Sequence, residues 1–491
     1  MHALKWAYTA NWGEKTFSSL FMFILAAMLG PRDFGVVSLA MIYILFIQMV
    51  QTQGFLTALV QRAHLEREHL DTIFWTNAVL AAVFTLVSMV FAGVWANLNH
   101  LPDLYRYIAV LSLCIPLQGL AIVQTALLQR EMDFRSLSLR TNLSVIVGGL
   151  VGLAVAWSGK GVWALILQQI ARDFVALVLL WQMTRWRPRL SFSVKHLGDL
   201  LRFSFSNFTA QLAIFADAHG VAILMGTLFG PVAVGLYRVA ERVVSSVSAV
   251  ATSSIQTVSL PEFSRQQDNP AALRKSVLTC VRMSAVLTLP AMAGLITISH
   301  SFMGMLGAKW LPAADVLKLL SLLGMFAMFS MFTGPLLQAL GRPSALAILE
   351  WSRTLAGLLL LAIAAWLVRS SAVETQVTGI AVVRCVSGIL LVSPVYFYLL
   401  LRFGRVSLRE VAHAVMPSIL SSLVIFGSAL LLRFSGLAAN LSFAFTLSVQ
   451  IIVGGLSGLV TYFAFDASAR FVVSNFLRNF MKSPLFSKDL V

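Results

Sequence analysis

Arg238 and Arg242 stand four residues apart inside an apolar stretch, so on a helix they share one face. Two guanidiniums on one face suit an anionic group, because their forked N–H donors match the oxygens of a carboxylate or phosphate. Further cations interrupt apolar runs at Lys15, Arg172, Arg282, Arg353 and Arg384, and acids do so at Glu14, Asp173, Asp217, Glu241 and Glu350. An ionisable group within hydrocarbon is costly, so each of these either lines a cavity or pairs with an opposite charge. Arg238 with Glu241, and Glu350 with Arg353, have the i,i+3 spacing of internal pairs, and that structural reading competes with ligand contact at both arginines. Lys15 lies near the inner end of its run, where its stem can snorkel. Asp217 is near the middle of its run with no opposite charge within four residues. It is the best candidate for a coupling proton or cation, ahead of Glu14, Glu241 and Glu350. His219, two residues on, points in another direction from a helix, so the two do not form a joint metal site. His64, Glu66, Glu68 and His69 read as a solvated helix cap rather than a metal loop. No phosphate loop, metalloprotease helix or nucleophile elbow occurs at a matching spacing. No catalytic residue, metal or cofactor is expected.

Such charges carry this meaning only if the runs around them are membrane helices. Of the 491 residues 58% are hydrophobic and 11% charged, whereas a soluble domain has about 25% charged residues. A water-soluble fold is excluded. A span needs about 20 apolar residues, and about fourteen runs of that length follow one another, from near residue 8 to near residue 465, the fifth over about 141–158. Lipid leaves backbone N–H and C=O groups without partners, so the runs are helices and the fold is an all-α polytopic membrane protein. The net charge of +16 is concentrated in alternate loops. One set holds Arg62 and Arg67; Arg130, Arg135 and Arg140; five cations in 185–202; Arg265, Arg274 and Lys275; and Arg402, Arg405 and Arg409. The positive-inside rule places that set and both termini in the cytoplasm and makes the basic residues topology signals, not a nucleic-acid surface. The first run carries Glu14 and Lys15 and reads as a retained span. Cys114, Cys280 and Cys385, far apart within spans, read as packing residues.

The chain also repeats itself. Gly30-Pro31-Arg32-Asp33-Phe34-Gly35 follows the first span, and Gly230-Pro231-Val232-Ala233-Val234-Gly235 follows the seventh. Leu101-Pro102, Leu111-Ser112-Leu113 and Leu127-Leu128-Gln129 have counterparts in Leu311-Pro312, Leu320-Ser321-Leu322 and Leu336-Leu337-Gln338. These elements, recurring in the same order, predict two parallel six-helix lobes, 1–185 and 203–402, joined by a basic linker at 186–202. Spans 13 and 14 occupy 403–466, and 467–491 has the spacing of an amphipathic interfacial helix.

Asn11-Trp12-Gly13-Glu14-Lys15, the Gly30 to Gly35 motif, Gly54-Phe55 and Ala58-Leu59-Val60-Gln61-Arg62 resemble the amino-terminal signature of the Wzx-type polysaccharide exporters. Asp71-Thr72-Ile73-Phe74-Trp75-Thr76-Asn77, Ala126 to Phe134 and Gly161-Val162-Trp163-Ala164-Leu165 continue it in order. These exporters belong to the multidrug, oligosaccharidyl-lipid and polysaccharide superfamily, and the chain is similar to its colanic-acid-type members. The resemblance implies an undecaprenyl-diphosphate-linked oligosaccharide as substrate, moved between leaflets of the bacterial inner membrane by alternating access. It implies a proton, a sodium ion or the membrane potential as driving force, with surrounding membrane lipids and a polysaccharide polymerase machinery as partners. On this reading Arg238, Arg242, Arg282, Arg353, Arg384, Arg172 and Lys15 are the candidate headgroup cations. A lipid II flippase or an ion-coupled drug antiporter are alternatives on the same architecture. A membrane polymerase or ligase is disfavoured, because no outer loop exceeds about ten residues.

Overall fold

Helices account for all the regular structure of the computed structural model, which describes residues 2–52, 59, 66–434 and 442–465. Arg62, His64, the motif residues 54–62 other than Leu59, and the tail expected over 467–491 lie outside the described residues. The helices are α1 (His2–Met28), α2 (Pro31–Thr52), α3 (Arg67–Leu98), α4 (Leu104–Leu111), α5 (Cys114–Gly119), α6 (Ile122–Arg130), α7 (Phe134–Trp157), α8 (Val162–Met183) and α9 (Val194–Phe229). They continue as α10 (Pro231–Arg265), α11 (Pro270–Leu306), α12 (Ala313–Ala327), α13 (Ser330–Ala339), α14 (Pro343–Val368), α15 (Val373–Ser387), α16 (Ser393–Gly404), α17 (Leu408–Phe434) and α18 (Phe443–Phe465).

Among the described residues twelve segments are long and apolar enough to cross a membrane. The sequence reading expects about fourteen. α1 and α10 are two further long helices outside those twelve segments. Both carry charge within their length, Glu14 and Lys15 in α1 and Arg238, Glu241 and Arg242 in α10. The fourth and tenth runs are broken, into α4, α5 and α6 and into α12 and α13; Ser112 sits in the first break, whereas Ser321 lies within α12 and the break follows at Met328 and Phe329. Both serines are fully buried.

Two compact units divide the chain. The first comprises Met1–Arg242, Leu306–Val316 and Ala347–Arg384, and the second comprises Val243–Met305, Leu317–Leu346 and Cys385–Val491. Their boundaries fall inside helices and not at the 186–202 linker. In the first unit, Ile73, Phe74, Val123 and Ala126 form a core cluster against Trp75, Trp181 and Trp186. In the second, α10, α11, α13, α16 and α17 bury a larger one around Phe263, Val277, Phe332 and Leu400.

Two details of the first unit explain motifs seen in the sequence. Pro31 and Pro231 each open a helix, where the missing N–H costs nothing. A Cβ on Gly35 would collide with the Pro231 carbonyl, and one on Gly235 with the Pro31 carbonyl. The two repeat turns therefore pack reciprocally, as equivalent surfaces related by a two-fold operation do. Asp71 is buried at the start of α3. It accepts from the Arg189 amide at 3.1 Å and the Ser191 hydroxyl at 2.9 Å, while Trp75 Nε1 donates to the Arg189 carbonyl at 2.7 Å. The Asp71 to Asn77 motif thus pins the linker chain.

Three placements differ from the sequence reading. The fifth helix starts at Phe134, earlier than expected, because Asp133 caps it by accepting from the Ser136 amide at 3.1 Å and hydroxyl at 2.6 Å. Those two donors hold the Asp133 carboxyl below the usual carboxylate range. Arg140 is consequently not in a loop but almost two turns inside α7. Arg274 and Lys275 likewise lie within α11, whose 37 residues exceed the about 20 needed for one crossing. His69 is buried rather than part of a solvated cap. The three cysteines are free thiols, two buried and one half-buried.

Candidate functional site

Every charged residue singled out within the apolar runs, Arg282 excepted, belongs to the first unit. One group gathers where α1, α7, α8 and α10 meet. Small residues allow the approach: a Cβ on Gly148 of α7 would lie 2.8 Å from the Gln168 carbonyl and 2.9 Å from Arg172 Cβ on α8. Arg172 donates from Nη2 to Glu14 Oε1 at 2.7 Å, and both side chains are about one third exposed. Arg242 donates to the Ser18 hydroxyl on α1 at 3.1 Å. It feels the charges of Arg172 and Glu14. Arg140 feels Glu14, Arg172 and Asp173. Asp173 accepts from Gln118 at 3.3 Å and Gln169 at 3.2 Å. Arg172 and Arg242 therefore both engage α1, at Glu14 and one turn on at Ser18, with Arg140 and Asp173 in the same electrostatic neighbourhood, and the three guanidiniums outnumber the two acids. An anion bearing several oxygens complements such a site.

A second group joins α9, α10, α14 and α15. Arg353 donates to Asp217 at 2.9 Å and to Glu350 at 2.8 Å, so one guanidinium bridges two carboxylates. Asp217, which has no opposite charge within four residues along the chain, thus meets one from another helix. Arg238 donates to Glu241 at 2.7 Å, to the Ala218 carbonyl at 3.3 Å and shares a 2.6 Å contact with His219 Nδ1. Its i,i+3 pair forms as the spacing implied, and it also ties α10 to α9. Arg384 lies in the field of Asp217 and Glu241. Lys15 is half-buried on α1, and no ion pair joins it among the described residues. Arg282 is not with the others; it lines a cavity in the second unit.

Sequence reasoning missed Arg140. The positive-inside count drew it into a loop with Arg130 and Arg135, although Asp133 followed three residues later by Ser136 marks a helix start before it.

Residues 24–315 match the family described as Polysaccharide biosynthesis protein. The succinoglycan biosynthesis transport protein ExoT of Rhizobium meliloti (strain 1021) is 30% identical over 67% of this chain and 66% of its own length. The teichuronic acid biosynthesis protein TuaB of Bacillus subtilis (strain 168) is 24% identical over 60% of this chain and 62% of its own. The chain thus spans just under two thirds of the length of these curated relatives. Among solved structures, the lipid II flippase MurJ in an inward closed conformation is similar at a TM-score of 0.69 and 15% identity, covering 92% of this chain and 98% of that one. At that identity the likeness concerns the fold.

Proposed function

Because the chain belongs to the polysaccharide biosynthesis protein family, as a Wzx-type member of the exporter superfamily that moves drugs, oligosaccharidyl lipids and polysaccharides, we propose that it flips a lipid-linked oligosaccharide between membrane leaflets. The substrate on this reading is an undecaprenyl-diphosphate-linked repeat unit, carried from the cytoplasmic to the periplasmic leaflet of a bacterial inner membrane. The observation that carries the proposal is the presence of Arg140, Arg172 and Arg242 in one electrostatic neighbourhood with Glu14 within apolar helices. A diphosphate cannot enter hydrocarbon uncompensated, and three forked donors supply both charge and direction. Arg384 extends the cationic surface, while Arg238 and Arg353 chiefly hold acids. The bridge from Arg353 to Asp217 and Glu350 is the coupling element: a proton or sodium ion taken by either carboxylate frees the guanidinium for the other. Glu241 is paired with Arg238, and an ion taken there would release that guanidinium.

Alternating access is supported by the reciprocal Gly35 and Gly235 turns, which draw two repeat-related helix starts together at one end of the first unit. Parting them would open that end. The two six-helix lobes, 1–185 and 203–402, are the bodies proposed to rock.

The test is export of surface polysaccharide in a deletion host, with membrane abundance measured for each variant. Arg242→Lys keeps the charge and loses the fork, and export is expected to fall at least about tenfold at unchanged abundance. Export within about twofold of the parent chain would remove Arg242 from the headgroup site.

A further inference from the structure

The last carbonyls of α1 lack their ordinary helical donors, for reasons visible in the G-P motif that follows. The Leu25 carbonyl accepts from the Leu29 amide at 2.7 Å. The Ala26 carbonyl would take the Gly30 amide, but that N–H donates to Asp33 Oδ2 at 3.2 Å. The Ala27 carbonyl would take the amide of residue 31, which is proline and has none. A segment far along the chain supplies what is missing. Trp310 Nε1 donates to the Ala26 carbonyl at 2.7 Å, and Lys309 Nζ donates to the Ala27 and Met28 carbonyls at 3.2 and 3.3 Å. Trp310 is fully buried and meets the Phe34 ring edge-on at 5.5 Å. Lys309 is exposed and brings its charge to the negative end of the α1 dipole. Gly307, at φ +117°, turns the chain into the short 3-10 turn Ala308–Trp310 that presents both side chains.

The repeat shows that this arrangement is one-sided. Asn99 and His100 precede Leu101-Pro102 as Lys309 and Trp310 precede Leu311-Pro312. Asn99 likewise lies against the end of α9, where a Cβ on Gly226 would sit 2.7 Å from its Oδ1. Its amide, however, donates back to the Trp95 carbonyl at 2.9 Å. The end of α1, the segment Leu306–Val316 and both repeat turns all belong to the first unit. On the two-lobe reading, on which this inference rests, the donors belong to one lobe and the carbonyls to the other, next to the reciprocal Gly35 and Gly235 turns. We propose that Lys309 and Trp310 are gating residues: their three hydrogen bonds latch this end of the first unit closed, and transport requires them to part in each cycle.

The experiment uses the full chain in lipid nanodiscs, carrying Cys114→Ala, Cys280→Ala and Cys385→Ala. Spin labels are placed on Arg32→Cys and Val232→Cys, exposed positions on the two repeat turns. Pulsed electron spin resonance reads the ratio of long to short label separations. Lys309→Met keeps the stem and removes the donors, and Trp310→Phe keeps an aromatic ring and removes the N–H. Each is expected to raise the ratio about fivefold, and the two together about twentyfold. Lys309→Arg keeps charge and donors and should stay within about twofold of the parent chain. Arg106→Gln, which removes an exposed cation of the same unit, is the control and should leave the ratio unchanged. Should Trp310→Phe fail to give monodisperse protein, Lys309→Met against Lys309→Arg decides alone. Both separations in the parent chain, with a ratio that neither variant moves, would overturn the latch and leave the rocking of the lobes standing. One short separation in every sample would overturn both. An equal shift in Arg106→Gln would overturn the latch by assigning the effect to surface charge.

Discussion

Arg353 between two carboxylates is the clearest single-residue consequence of the fold. Removing it takes the bridging cation from both Asp217 and Glu350, whereas neutralising Asp217 leaves Arg353 its second acid. Arg353→Gln is therefore expected to cost more stability than Asp217→Asn. The side chains are about one third exposed, so solvent screens part of the loss, and a difference of about 1–2 kcal/mol is expected in a thermal melt of the detergent-solubilised protein. Equal melts would mean that the bridge is not held in solution. The double change Arg238→Gln with Glu241→Gln removes charges in balance, leaving neither part-buried partner uncompensated, and should keep abundance near that of the parent chain. Much of this was legible beforehand only where partners are close in sequence. The i,i+3 pairs of α10 and α14 follow from spacing alone. The Asp217 to Arg353 pair does not, because 136 residues separate its members and no local pattern links them. Arg140 was hidden by a helix start misplaced by less than two turns.

At the scale of elements, the repeat found in the sequence acquires a physical reason. The glycine closing each G-P-x-x-apolar-G turn is required by its counterpart, since each would place a Cβ on the other turn's backbone carbonyl. Backbone cannot yield as a flexible side chain does. Gly35→Ala is expected to destabilise by about 3 kcal/mol or more, read as loss of monodisperse protein in size-exclusion chromatography. Gly93→Ala, where an added methyl meets nothing, should be silent. Comparable behaviour of the two variants would contradict the reciprocal packing. The motif Asp71 to Asn77 was legible as a signature but not as a device. Its task, fixing the linker at Arg189 and Ser191, involves a partner more than a hundred residues away, and loop chain without periodicity gives no hint of where it docks.

Across the whole molecule, hydropathy alone conveys an all-α membrane protein, because lipid permits few other solutions. Span number is harder to count at α10, where Arg238, Glu241 and Arg242 dilute the apolar signal. Orientation follows from the charge bias and is tested by labelling. A single cysteine at Arg32 should react with an impermeant thiol reagent from outside the cell, and one at Arg405 should not; the reverse pattern would invert the proposed direction of transport. The most direct measurement of the central claim uses the purified chain in vesicles loaded with an undecaprenyl-diphosphate-linked oligosaccharide. An impermeant reagent that modifies sugars reads the fraction in the outer leaflet over time. The account predicts that the chain speeds equilibration well above protein-free vesicles, that Arg242→Lys slows it about tenfold, and that a lipid with the same glycan but no diphosphate is not moved. Movement no faster than in protein-free vesicles, or equal movement of the lipid lacking the diphosphate, would contradict it.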